Sequence, residues 1–171
     1  MSTEVYLDQI LFVGFFALVI CAALSDISAF RIPNKISLGL IALYPPHLLL
    51  SPVPVDWMRA FMVAGITFVV GFILFARGLV GAGDVKLLSA TALWAGRPLI
   101  GTELVIMALA GGLLAVSAML IQIVRRYRAE GLIGMLTPAG AAASAAPSPK
   151  LPYGVAIAAG ALYVGAQLMA S

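Results

Sequence analysis

Apolar residues fill the chain in long runs, broken by short clusters of charge, glycine and proline. Runs of this length read as membrane-spanning helices of about 20 residues, not as the narrow apolar stripes of helices in a soluble domain. They predict spans at residues 5–24, 36–55, 57–79, 87–95, 99–124 and 151–170. The expected fold is an all-α integral membrane protein, a polytopic bundle of about six transmembrane helices forming one domain over residues 1–171. Two spans are irregular. Pro45-Pro46 removes two backbone donors from the second and should kink it or divide it in two. The fourth, residues 87–95, covers about 14 Å against a hydrocarbon core of about 30 Å. It crosses only if extended from Asp84 through Pro98, or where the bilayer thins. Residues 129–150, rich in Ala, Ser and Pro at 139–149, are expected to form a flexible cytoplasmic linker. The chain shows no internal repeat, which weighs against a transporter built from inverted halves.

Charge gives an independent check on this topology, because Lys and Arg collect on the cytoplasmic side. With the N-terminus outside and six crossings, Arg31, Lys35, Arg77, Lys86, Arg125, Arg126, Arg128 and Lys150 fall inside. Only Arg59 and Arg97 fall outside. Removing the short fourth crossing would put Arg125-Arg126-Tyr127-Arg128 on the wrong side, so the crossing is retained and both termini are expected outside the cytoplasm.

Composition narrows the class further. The 171 residues are 63% hydrophobic and 10% charged, with mean hydropathy +1.10, whereas a soluble domain averages about 45–50% apolar and about 25% charged. The net charge of +3 is spread over loops as topology signal, so a nucleic-acid partner is not expected. Cys21 is the only cysteine, which excludes an intrachain disulfide and a multi-cysteine zinc site; it reads as a small buried apolar residue. Residues 1–9 carry Glu4 and Asp8 but no Lys or Arg, unlike a secretory signal peptide, so the first apolar segment is expected to be retained.

Most of the seven acidic residues have plain explanations: Glu4 and Asp8 in the tail, Asp56 and Glu103 near outer helix ends, Glu130 in a loop. Asp26 and Asp84 differ. Asp26 follows the first span in Asp26-Ile27-Ser28-Ala29-Phe30-Arg31-Ile32-Pro33-Asn34, and Asp84 ends Gly81-Ala82-Gly83-Asp84 after the third. Two spans intervene, and an even number of crossings returns the chain to the side it left, so both lie at the cytoplasmic boundary. Two carboxyls brought close at the edge of a low-dielectric medium share a single proton through like-charge repulsion and desolvation. The ionised member can then take a proton from water while the neutral one hydrogen-bonds a scissile carbonyl. Gly81 and Gly83, lacking Cβ, would let Asp84 approach Asp26. Separately, each acid has a plainer reading: Asp84 as a helix N-cap, Asp26 as an interfacial anchor or partner of Arg31. Other hydrolytic designs fail by inventory. His47 is the sole histidine, so an H-E-x-x-H metal site cannot exist; a structural or interfacial role toward the outer half of the second span is expected for it. No metal and no cofactor is expected.

These residues resemble the type IV prepilin peptidases, membrane aspartic proteases of the Gly-x-Gly-Asp class. The resemblance rests on Asp26 with Arg31-Ile32-Pro33-Asn34, on Gly81-Ala82-Gly83-Asp84-Val85-Lys86-Leu87-Leu88, and on Leu151-Pro152-Tyr153-Gly154 opening the last span. It implies that Asp26 and Asp84 are the catalytic pair. The implied substrate is a prepilin or pseudopilin with a short basic cytoplasmic leader and a hydrophobic helix, cut at their junction. The implied location is the bacterial inner membrane, with the site facing the cytoplasm. Long members carry an N-terminal domain with paired Cys-x-x-Cys motifs and also N-methylate the product. One cysteine and no room before the first span make this chain similar to the short form of Flp pili and tight-adherence systems, without methyltransferase activity. Lys86 has two readings, as a charge acting on Asp84 or the substrate, or as a cation snorkelling to lipid phosphates. Arg125, Arg126 and Arg128 read as topology and headgroup contacts. The residues that bind substrate and the oligomeric state are not readable. Two other classes stay open: a small transporter or proton channel using Asp26 and Asp84, and a non-enzymatic membrane subunit of a pilus or secretion machine.

Overall fold

The computed structural model describes residues 3–51, 54–135 and 151–170. These form α1 (Thr3–Ala29), α2 (Asn34–Leu50), α3 (Trp57–Ala76), α4 (Ala82–Met135) and α5 (Tyr153–Ala170), with no strand among the described residues. Four helical stretches are long and apolar enough to cross a membrane: Tyr6–Ala29, Trp57–Ala76, Ala82–Arg125 and Tyr153–Ala170. Large apolar side chains such as Ile10, Val13, Phe61, Ile66, Leu109 and Leu113 are exposed around the bundle, as lipid-facing positions require.

The sequence expectation is revised at several points. α2 runs through Pro45 and Pro46 as one helix and is not divided there. The third span is shorter than expected, because Gly78 at φ +72° ends α3 in a Schellman turn, with Leu79 N–H donating to the Leu74 carbonyl and Gly78 N–H to that of Phe75. The expected fourth and fifth spans belong to one helical element, α4. Residues 129–135 of the expected linker continue that helix, and 136–150 lie outside the described residues.

α4 is not a straight rod. Asp84, Val85 and Leu88 line the same cavity as Gly111, Gly112 and Ala115, yet in a straight helix Asp84 and Gly111 would stand about 40 Å apart. The element folds back at Gly96, whose φ of +54° is open to glycine, two residues before Pro98. The limb before the turn packs on α3, where a Cβ on Gly71 would meet Val85 at 2.8 Å. The limb after it packs on α5.

Association of apolar helices in lipid gains little from the hydrophobic effect and depends on close backbone approach. α5 meets this demand with a buried face of Gly154, Ala156, Ala158, Gly160, Ala161 and Gly165. Near the Gly96 turn the packing is aromatic. Trp94 is tilted against Phe15 at 4.7 Å, stacks on His47 at 5.0 Å, and donates from Nε1 to the Leu40 carbonyl at 3.0 Å.

A methyl on Gly160 would lie 2.7 Å from the backbone oxygen of Glu103, an atom that cannot yield without moving the helix. Gly160→Ala should therefore lower stability by about 1–3 kcal/mol, measured by thermal unfolding in detergent; an unchanged midpoint would show that α4 and α5 separate without cost.

Candidate active site

α1 ends in a turn built by its own sequence. Phe30 adopts φ +48°, a left-handed conformation costly for a residue with a side chain, and its N–H donates to the Asp26 carbonyl at 2.9 Å. Ser25 Oγ donates to the Arg31 carbonyl at 2.8 Å and closes the turn. Pro33, at φ −62° and ψ 136°, caps α2, where its missing N–H costs nothing. Ile32 is thereby turned inward. It lies against Gly83 of α4, where a Cβ would be 3.3 Å from Ile32 Cβ, and against Gly154 of α5, where a Cβ would be 2.8 Å from Ile32 Cδ1.

Asp26 is buried, and its Oδ2 accepts the Gly154 N–H at 2.6 Å. That donor belongs to the first turn of α5, where backbone N–H groups have no partner within the helix. Gly154 serves twice, since a Cβ there would stand 2.8 Å from Asp26 Oδ2. The value of this glycine depends on a residue 128 positions away, which no local pattern in Pro-Tyr-Gly reveals.

Asp84 sits in the first turn of α4. It is not the N-cap: Gly81 fills that place, its carbonyl accepting from Val85 N–H at 3.2 Å. The Asp84 carboxyl turns back toward Gly81, and a negative charge is favoured there by the helix dipole. Ile32 packs against Gly83, the residue before Asp84, and against Gly154, whose N–H holds Asp26, so the two acids, 58 positions apart in the sequence, stand at one end of the bundle. Gly81 and Gly83 stand beside them with separable duties. A Cβ on Gly81 would lie 2.9 Å from Asp84 Oδ2, whereas Gly83 faces Ile32.

Lys86 is exposed, and its Nζ donates to Asn34 Oδ1 at 3.0 Å, tying the start of α4 to the start of α2. This contact to Asn34 is one that neither sequence reading of Lys86 names. Cys21 is exposed, not buried as expected. Beside Asp84 opens a cavity of about 430 Å³, apolar along Leu88, Met107 and Ile157 and floored by Gly111 and Gly112.

Two acids read as plain in the sequence prove otherwise, and His47 has a partner that the sequence did not show. Asp8, placed in the tail, is buried and 2.6 Å from His47 Nδ1. His47 has the structural setting expected of it, far from the aspartates, but its partner was not foreseen. Glu103, placed at a helix end, is fully buried with no hydrogen bond to either carboxyl oxygen. None of the three joins Asp26 and Asp84. Among the described residues no group of three or more His, Cys, Asp or Glu converges as a metal site would require.

A family model described as the type IV leader peptidase family matches residues 13–124. The match spans Asp26, Ile32, Asn34 and Asp84 and stops before Gly154. No curated protein and no solved structure matches the chain.

Gly154→Ala should push the Asp26 carboxyl and Ile32 away from α5 and lower stability by about 1–3 kcal/mol. Adding Ile32→Ala should recover part of that loss. Strictly additive effects in thermal unfolding would show that Ile32 and Gly154 do not share the crowded space described.

Proposed function

The chain belongs to the type IV leader peptidase family, and we propose from that membership that it is an aspartic endopeptidase cutting the basic leader from Flp-type prepilins and pseudopilins. The observation that supports this reading is that Asp26, held by the Gly154 N–H, and Asp84 stand at the same end of the bundle, with Ile32 packed against both Gly154 and Gly83. Two carboxyls in mutual reach hold one proton between them. The ionised acid draws a proton from a water; the water oxygen attacks the scissile carbonyl, whose oxygen accepts a hydrogen bond from the protonated acid. Collapse breaks the C–N bond, the new amine takes a proton from the dyad, and no covalent enzyme intermediate forms. The Gly154 N–H keeps the Asp26 carboxyl in place through the cycle.

The location follows from charge. Arg31, Lys35 and Lys86 flank the aspartates in sequence and stand at the same helix ends, while Arg97 lies at the Gly96 turn. The bias assigns the aspartate end to the cytoplasmic face of the bacterial inner membrane. With α4 folded back at Gly96 the bundle makes six passes. The limb of residues 82–95 spans about 21 Å, so the bilayer is thinner around it. A prepilin presents its leader to this face from the cytoplasm.

Co-expression with a Flp-type prepilin, read by gel shift and mass spectrometry of the new N-terminus, tests the reading. Wild type should cut at the leader junction. Asp26→Asn and Asp84→Asn, at matched membrane levels, should each lower the rate at least about 100-fold. Continued cutting by both variants would sink the two-aspartate mechanism and return the transporter and subunit readings. Gly83→Leu, which drives into Ile32, should reduce cleavage more than membrane insertion; equal processing would refute the role given to that glycine.

A further inference from the structure

A second cavity, of about 590 Å³, lies at the other end of the bundle. Its lining comes from the start of α1, the end of α2, the start of α3, the Gly96 turn and the end of α5, whereas Asp26, Asp84 and Gly154 occupy the opposite ends of α1, α4 and α5. Its size is that of a small-molecule site. The walls are apolar at Phe12, Trp94, Leu168 and Met169.

Two features of this cavity have no use inside the protein. Tyr44 is 1% exposed and lines the cavity, yet its Oη has no hydrogen-bond partner. Buried hydroxyls are rarely left so. Arg97, exposed on the rim, has no ion pair or hydrogen bond among the described residues. The other charges are matched: Asp8 is 2.6 Å from His47, and Asp56, whose charge reaches Tyr44, is held by Arg59 at 2.9 Å. Among the charged and phenolic groups lining the hollow, one rim cation and one buried phenol are left unpaired, in a protein whose surroundings are lipid.

We propose that this cavity binds the headgroup and upper chains of a phospholipid, with the phosphate on Arg97 and the Tyr44 hydroxyl and the first acyl carbons against Trp94 and Leu168. A phosphate supplies the acceptors that both groups lack. The apolar walls require that the occupant carry more than a phosphate. The site is separate from the aspartates and does not rest on their proposed chemistry.

The test is thermal unfolding of the purified full chain in detergent, followed by tryptophan fluorescence. Dihexanoyl phosphatidylglycerol, inorganic phosphate and phosphate-free dihexanoylglycerol are each added to wild type, Arg97→Gln and Tyr44→Phe. The phospholipid should raise the wild-type midpoint by several degrees, the other two additives should not, and either substitution should remove at least half the shift. Without additive, Tyr44→Phe should unfold at or above the wild-type midpoint, because the lost hydroxyl had no partner. Equal shifts in all three proteins, or no shift in wild type, would overturn the site. A full shift with inorganic phosphate alone would overturn the lipid as its source. A Tyr44→Phe protein destabilised without additive would overturn the premise that the hydroxyl is unused.

Discussion

The hydrogen bond from the Gly154 N–H to Asp26 Oδ2 is the contact from which the aspartate end of the molecule is organised. It joins α1 to α5 at a distance that admits no Cβ, and it gives a buried carboxyl a backbone donor. Ile32 occupies the space beside it and reaches the start of α4, so the position of Gly83, and with it Asp84, follows from the same approach. The strained backbone at Phe30 is the local cost of turning Ile32 inward within so short a connection. Strain of this kind persists where the surrounding packing over-determines it.

The two ends of the bundle are built on different principles. At the aspartate end, small residues and helix starts bring polar backbone close to two acids. At the Gly96 end, aromatic rings around Trp94 enclose the Asp8–His47 pair. The first arrangement leaves room beside Asp84 for an apolar occupant; the second surrounds a hollow with charge at its rim. The acids thus occur in different settings within one bundle: Asp26 on a backbone donor, Asp8 in an ion pair and Glu103 without a hydrogen-bond partner. What each can do differs with its partners.

Much of the site was legible in the sequence because it rests on properties that add along the chain. Hydrophobic length gave the helices, and the parity of crossings put Asp26 and Asp84 at one end. The glycines beside Asp84 were recognisable as spacers, though not which atom each one spares. What could not be read depends on neighbours distant in sequence. Asp8 looked like a tail residue because its partner His47 is on another helix, and Glu103 looked peripheral because the reversal at Gly96 was needed to bury it. Gly154 was undervalued for the same reason. Lys86 was weighed against Asp84 and lipid, while its actual partner, Asn34, lay in the other motif. Of the kink or division that Pro45 and Pro46 predict, the division is absent: α2 runs on through both prolines, with Trp94 bound to its Leu40 carbonyl.

The order of the helices also sets an order of assembly. Asp26 leaves the ribosome well before Gly154, 128 residues later, with α2, α3 and the whole of α4 made in between. Until α5 inserts, Asp26 lacks its backbone donor and Ile32 lacks one of the two surfaces that hold it. A nascent chain therefore carries both acids before Asp26 has the donor that holds it in the folded bundle.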